Sequence, residues 1–137
     1  MAAATVPREI PNDVGGRVTA AESKAMLKTV LHLLDRWRVS NAQKLVLLGG
    51  PSDRTFQRWR TGDFASLPTD TIYRLSDLLA IHKALRYVFA DTEGGYRWVK
   101  RPNDAFAGRS ALDVMLQGCP VDLNRVRAYL DAERGGW

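Results

Sequence analysis

The residues whose types and spacing best suit a chemical role are three arginines and a glutamine that follow one serine in the middle of the chain. After Pro51 the sequence reads Ser-Asp-Arg-Thr-Phe-Gln-Arg-Trp-Arg-Thr, with Phe56 and Trp59 three residues apart. In a helix these two aromatic side chains share one face, which leaves the arginines and the glutamine to project outward. Arginine and glutamine can each make two hydrogen bonds to a base edge in the DNA major groove. The predicted DNA-contacting residues are Ser52, Arg54, Thr55, Gln57, Arg58 and Arg60.

A short helix and a tight turn must position this segment. Ser40 is a good N-cap, so we predict a helix over residues 41–48 that buries three aliphatic side chains, Leu45, Val46 and Leu48. Gly49-Gly50-Pro51 ends it, because glycine favours the left-handed position after a helix and proline cannot continue one. Ser52 then caps a second helix that runs to about residue 60. This order of elements is typical of a helix-turn-helix.

Two interpretations of the arginine face stay open. An ordinary pair of packed helices, with arginines that meet only solvent, would give the same local signals. Asp53 lies near the proposed contact face, where its carboxylate would repel phosphate, although it also favours the positive end of the helix dipole. The net charge of +5 favours an acidic partner such as nucleic acid, without deciding between the two.

The rest of the chain predicts an all-α fold. Residues 1–18 show no periodicity and are expected to form a flexible arm. Thr19-Ala-Ala-Glu22 fits a capping box for a helix that runs to about Trp37. A longer helix begins near Pro68, and its apolar residues cover more than one face, so it is expected to be central. Gly94-Gly95 is expected to break the chain as a hinge.

Several classes of protein are disfavoured. One cysteine, Cys119, allows no internal disulfide, and no secretory leader or membrane span is evident, so we expect a cytoplasmic protein. His32 and His82 are far apart and are expected to be structural, so no metal site or cofactor is predicted. No set of catalytic residues is apparent in the sequence, so we expect that the protein is not an enzyme. Trp98 lies in a basic cluster that is expected to be a solvated edge with the indole buried, rather than a phosphate or partner contact.

Two motifs in the last third of the chain carry a resemblance. The first is N-x-x-F-x-G-x-S-x-L over residues 103–112, followed by a Ser110-capped helix that ends at Gly118. The second is V-R-x-Y-L-D-A-x-R-G-G-W over residues 126–137, within and after a last helix from about Asp122 to Arg134. This region resembles the toxin-binding C-terminal domain of the Xre–MbcA–ParS antitoxin family, and the helix-turn-helix fits the Xre-like half of such proteins. One departure is Ser110-Ala111, where members often carry a proline.

The resemblance implies an antitoxin with two modules. Residues 19–92 would form an Xre-like helix-turn-helix module that makes a homodimer and binds operator DNA, which would repress its own operon. Residues 93–137 would form the toxin-binding domain. It would cover the active-site mouth of a RES-domain toxin, an enzyme that destroys NAD. The toxin-facing residues implied by the second motif are Arg125, Arg127, Tyr129, Asp131, Arg134, Gly135, Gly136 and Trp137.

Alternatives remain both for the roles of individual residues and for the function of the protein. Trp137 has the residue type that dominates interface energetics, but it could also fold back on the last helix as a hydrophobic cap. Arg125 and Arg127 are two residues apart and do not share a helix face, so one of them could be solvated while the other is used. At the level of function, the alternative is a plain helix-turn-helix transcriptional regulator whose C-terminal domain only dimerises or senses a ligand.

Overall fold

The computed structural model describes residues 18–135. Within this range the chain forms seven α-helices, one short 3₁₀ helix and one two-residue antiparallel pairing, and so confirms the all-α class. The predicted arm lies outside the described residues except for Val18. In chain order the elements are α1 Ala20–Arg36, α2 Asn41–Leu47, α3 Asp53–Arg60, α4 Thr69–Val88, α5 Thr92–Lys100, β1 Pro102–Asn103, the 3₁₀ helix Asp104–Phe106, β2 Arg109–Ser110, α6 Ala111–Met115 and α7 Pro120–Glu133.

Local caps begin α1, α2, α3 and α6 where the sequence predicts, whereas α7 begins at Pro120, two residues before its predicted start. The Thr19 hydroxyl accepts from the Glu22 N–H at 3.0 Å, and the Glu22 carboxylate accepts from the Thr19 N–H at 2.8 Å. Hydrogen bonds to the Glu22 carboxylate, first from the Thr19 backbone N–H and then from the Thr19 side chain, lower the pKa of Glu22. Ser40 caps α2 by the same reciprocal pattern with Gln43, and Ser110 caps α6 with Asp113. A capping box satisfies two helix-end N–H groups with residues only three apart, which is why sequence predicts it well.

The long helix α4 is central, as predicted. It packs against α1 on one side and against α7 and α5 on others. Leu75, Leu78 and Ile81 in its middle are fully buried in one continuous apolar core that includes residues from both halves of the chain. Burial of each such side chain is worth about 1.5–3 kcal/mol. The two predicted modules therefore share one core through α4.

Two expectations about local packing are wrong. In α2 the side chain of Val46 is exposed, while Leu47 is fully buried beside the predicted Leu48, and Leu45 is only partly buried. The seven-residue helix is too short for its apolar pattern to settle which face turns inward. The predicted hinge Gly94-Gly95 lies inside α5.

The second error has a packing reason. Gly95 is buried on the side of α5 that packs against α4, where a Cβ would stand 3.4 Å from the Cβ of Leu85, at the short end of van der Waals contact. The short β1–β2 pairing was not predicted either, because two residues per strand show no periodicity.

One buried arginine ties distant elements together. The Arg74 guanidinium, on α4, donates to Asp70 Oδ2 at 2.8 Å and to the carbonyl of Gly118 at 2.9 Å. A third bond of 3.4 Å reaches the carbonyl of Val46. The end of α2 and the turn between α6 and α7 are thereby attached to the same side chain. We call this group the Arg74 junction.

Two other kinds of site are absent from residues 18–135. No helix in that range has the length and apolar character that crossing a membrane requires. Nor does that range hold a group of three or more histidine, cysteine, aspartate or glutamate side chains arranged to bind a metal ion. Cys119 is exposed, and its N–H donates to Asp122 Oδ2 at 3.2 Å at the start of α7.

Candidate functional site

The turn between α2 and α3 is closed by backbone hydrogen bonds. The Gly50 N–H donates to the carbonyl of Leu45 at 2.8 Å, and the Gly49 N–H donates to that of Val46 at 3.2 Å. Gly49 has a φ of +101°, which L side chains rarely adopt. This pattern is a Schellman motif, in which glycine supplies the left-handed residue after the helix. It determines where α3 begins relative to α2.

Helix α3 presents the predicted residues on its outer side. Phe56 and Trp59 are buried, at 2% and 7% exposure, which turns the opposite face to solvent. The side chains on that face and at its edges are exposed: Arg54, Gln57, Arg58 and Arg60. The structure therefore brings these four residues to one exposed surface. Their contact with DNA stays a prediction.

Ser52 and Thr55 have an evident local role. The Ser52 hydroxyl accepts from the Thr55 N–H at 3.1 Å and donates to the Thr55 hydroxyl at 3.0 Å. These bonds hold the first turn of α3. Asp53 is exposed in the same turn, where its carboxylate favours the helix dipole.

Two of the α3 arginines have weak intramolecular partners. The Arg58 Nε lies 3.5 Å from Asp63 Oδ2, and both side chains are more than half exposed. The Arg60 guanidinium lies 5.4 Å from the centre of the Phe56 ring. Exposed ion pairs contribute about 0–1 kcal/mol, so Arg58 can exchange Asp63 for another anion at little cost.

The first C-terminal motif builds a turn. The Asn103 side chain accepts from the Ala105 N–H at 2.8 Å, and the Gly108 N–H donates to the carbonyl of Asn103 at 3.0 Å. Phe106 is buried, and Ser110 begins α6. The motif residues thus define how the chain passes from α5 to α6.

An aromatic cluster lies between α5 and α7. It consists of Phe89, Trp98, Phe106 and Tyr129. The rings of Trp98 and Tyr129 stack at 6.0 Å, and Phe106 meets Tyr129 edge-on at 5.3 Å. Trp98 is buried, as the sequence predicts, whereas Arg97 and Lys100 beside it are exposed. Tyr129, predicted to face the toxin, therefore also holds α7 in place through its ring.

The other predicted residues of α7 form a chain of charges against α4. Arg127 Nη1 donates to Asp77 Oδ1 at 2.9 Å, and Arg127 Nε lies 3.9 Å from Asp131. Arg134 lies 3.8 Å from Asp131, and its guanidinium is 4.2 Å from the centre of the Tyr87 ring. Predicted toxin-facing residues are thus joined by two α4 residues, Asp77 and Tyr87, that the sequence reasoning missed. Asp77 and Tyr87 are ten residues apart on a helix that the sequence already assigned to the core. The sequence therefore did not mark them as part of a binding surface.

Two cavities follow this α4–α7 face. One, of about 620 Å³, is lined by Tyr73, Ser76, Asp77, Pro120, Val121, Asn124 and Arg127. The other, of about 310 Å³, is lined by Ala80, Lys83, Arg127, Asp131 and Arg134. Arg127 borders both cavities, so the face is continuous along α7.

The remaining predicted residues are less connected. Arg125 is half-exposed and lies 3.9 Å from Asp122. Arg125 and Arg127 do differ in their surroundings, since Arg127 alone reaches α4. Gly135 is exposed, with a φ of +68°. Gly136 and Trp137 lie outside the described residues.

Comparison with known proteins identifies this arrangement. Residues 84–136 match the family described as the antitoxin Xre/MbcA/ParS C-terminal toxin-binding domain. The chain is also 49% identical over 117 residues to the uncharacterized protein y4oB of Sinorhizobium fredii (strain NBRC 101917 / NGR234), an alignment that covers 85% of this chain and 90% of that protein. The chain belongs to the Xre/MbcA/ParS antitoxin family. The Xre/MbcA/ParS resemblance drawn from the two motifs is thereby confirmed.

Membership in the Xre/MbcA/ParS family gives the antitoxin a defined toxin-binding region. The matched residues begin inside α4 and include the aromatic cluster, α6 and α7. The family indicates a regulatory protein that binds a toxin. The module boundary between residues 92 and 93 stays a prediction, and the match starts before it.

Proposed function

We propose that this antitoxin neutralises a RES-domain toxin, an enzyme that degrades NAD, by covering the mouth of its active site. The carrying observation is the toxin-binding match over residues 84–136, which includes α7 and the chain just after it. In this range α7 presents half-exposed cations at Arg125 and Arg127. The RES class of the toxin comes from the family resemblance.

The packing of α7 supports this role. Leu123, Val126 and Leu130 are buried on its inner side, and the Arg127–Asp77 bond joins its outer side to α4. A contact surface held in one conformation loses less entropy on binding. The proposed toxin contacts are therefore the outer residues Arg125, Arg127, Asp131 and Arg134 with the segment 135–137, while Tyr129 acts through its stacking on Trp98.

Co-expression with a RES-domain toxin encoded beside this antitoxin tests the proposal. The expected result is a stable complex in which NAD loss is suppressed, whereas the toxin alone consumes NAD. A truncation that removes residues 135–137 keeps every described contact of Arg134. It should restore NAD loss without a change in thermal stability. Arg36→Ala, an exposed site on α1, serves as the control.

The outcomes separate the possibilities. Full neutralisation by the truncated chain would move the blocking surface to the body of α7. Failure of the intact chain to bind or inhibit the toxin would contradict the proposal and leave the plain transcriptional regulator, which should then still bind its promoter.

We also propose that α3 enters the major groove of operator DNA and that the N-terminal module forms a homodimer, so that the antitoxin represses its own operon. The support is the exposed face with Arg54, Gln57 and Arg58 opposite two buried aromatic residues. Two copies would place two recognition helices about one DNA turn apart, near 34 Å. Arg54→Ala and Arg58→Ala should each weaken binding to the operon's promoter by about 1–3 kcal/mol.

Fluorescence anisotropy with a labelled promoter duplex measures this, and sedimentation reports the dimer. If both variants bind the promoter duplex with wild-type affinity, α3 is not the recognition helix. That result would leave toxin neutralisation untouched, since that function is assigned to the other end of the chain.

A further inference from the structure

A second basic surface lies beside the C-terminal end of α3. Of the residues already assigned to DNA or toxin binding, it includes only Arg60. It is a groove of about 470 Å³ between α1 and α3, which we call the α1–α3 groove. Its rim carries Lys24 and Lys28 from α1 and Arg60 from α3, and all three side chains are exposed. Lys24 and Lys28 are four residues apart, so they stand one helical turn from each other on the same side of α1.

The charge of the α1–α3 groove is strongly one-sided. Among the described residues that line it, Asp35 is the one carboxylate. That carboxylate is already ion-paired with the buried ammonium of Lys44. The three rim cations therefore produce a positive field that is not cancelled within the groove, which favours an anionic partner.

Aromatic rings hold two of these cations at the rim. The Lys24 ammonium lies 5.5 Å from the centre of the Phe64 ring, and the Arg60 guanidinium lies 5.4 Å from that of Phe56. Contacts of this kind restrain long basic side chains, with their alkyl stems on apolar surface and their charged ends toward solvent. The cations are thus partly positioned before any partner arrives.

The position of the α1–α3 groove relative to α3 indicates which anion the groove would bind. In a helix-turn-helix the N-terminal residues of the recognition helix contact base edges, so the C-terminal end of α3 would lie nearer the phosphates that border the major groove. The α1–α3 groove opens at that end, since Trp59, Thr61 and Gly62 line it.

We infer that the α1–α3 groove is a second DNA contact, which takes the sugar–phosphate backbone at the edge of the major groove occupied by α3. This inference rests on the proposed DNA binding by α3. Lys24 and Lys28 neutralise phosphates without reading sequence, whereas Arg54 and Gln57 contact bases. Phosphate contacts of this kind position a protein on the duplex and make its affinity depend on salt.

Salt titrations with the full chain test this assignment. Binding to the promoter duplex and to a scrambled duplex is measured by anisotropy at several NaCl concentrations. Lys24→Ala and Lys28→Ala should each reduce the slope of log K against log salt concentration by about 0.9. Both duplexes should lose affinity by the same factor, so the specificity ratio stays constant. Arg54→Ala should instead lower that ratio.

Two matched controls isolate the charge. Lys24→Arg combined with Lys28→Arg should keep the wild-type slope. Lys83→Ala removes an exposed lysine beside the α4–α7 face and should also leave the slope unchanged.

Three results would overturn the inference. A wild-type slope in the Lys24/Lys28 double alanine variant, while Arg54→Ala still weakens binding, would remove this contact and keep α3 as the recognition helix. A change of oligomeric state in the double variant, seen by sedimentation, would make the groove a protein interface instead. No promoter binding by the wild type at low salt would remove both the groove contact and the proposed function of α3.

Discussion

Replacement of Arg74 by methionine should destabilise the whole protein, because the Arg74 junction joins both halves. The substitution removes a charge-assisted bond of 2.8 Å to Asp70 and a bond of 2.9 Å to the Gly118 carbonyl. Bonds to charged groups contribute about 1.5–3 kcal/mol each. The Asp70 side chain is 52% exposed, so water compensates part of that loss. We therefore expect a decrease in unfolding free energy of about 3 kcal/mol.

Urea and thermal unfolding followed by circular dichroism measure the Arg74→Met effect. For a chain of this size, about 3 kcal/mol corresponds to a midpoint lower by about 10 °C. Arg74→Lys keeps the positive charge but has no forked guanidinium, so it should lose about half as much. Lys83→Met, at an exposed site on the same helix, should stay within about 0.5 kcal/mol of the wild type.

The shape of the Arg74→Met transition matters as much as its midpoint. Since the junction connects the α2 end to the α6–α7 turn, both halves should unfold together in one transition. A loss below about 0.5 kcal/mol would refute the role of the junction in stability. Separate transitions for the two halves in the wild type would refute the single shared core.

Three further outcomes are expected from the same unfolding assays. Gly49→Ala should destabilise more than Gly50→Ala: both positions have positive φ, but the new Cβ at Gly49 would lie 3.0 Å from the Asp70 carboxylate, whereas nothing lies within 4 Å at Gly50. Equal losses would show that backbone strain alone matters. Burial lowers the pKa of His82, so the folded protein binds fewer protons than the unfolded chain below about pH 6.5. The free energy of unfolding should therefore fall as the pH drops below that value. The fall should be smaller in His82→Phe, and identical pH profiles of the variant and the wild type would contradict this. Tyr129→Ala should cost about 2 kcal/mol through lost stacking in the aromatic cluster, whereas Tyr129→Phe should keep both stability and toxin affinity. Loss of toxin binding in stable Tyr129→Phe would show that the hydroxyl contacts the toxin.

The predictions from sequence succeed where three or four consecutive residues decide the structure. Ser40, Ser52 and Ser110 cap helices as predicted, because each hydroxyl accepts from a backbone N–H three residues later. The two buried aromatic residues of α3 follow from their spacing alone. The toxin-binding region was identified by two motifs: the first builds the turn into α6, and the second contributes Tyr129 to the aromatic cluster and Arg127, Asp131 and Arg134 to the charges along α7.

The errors arise where the deciding neighbour is far along the chain. Gly94-Gly95 was expected to be a hinge, since paired glycines often interrupt helices. In the structure Gly95 lies inside α5 and is buried against Leu85, where that helix packs on α4. No local pattern distinguishes a glycine that breaks a helix from one that packs it against another.

By itself the sequence determined the helical class, most helix starts, the exposed arginines of α3 and the antitoxin family of the C-terminal region. Each of these depends on interactions within a few residues or on a motif read directly from the chain. Only the tertiary structure decided the partners of the charges. Arg127 meets Asp77 across 50 positions, and Arg74 meets the Gly118 carbonyl across 44. The choice of such partners depends on how α4 packs against its neighbours, and that packing is a property of the whole core.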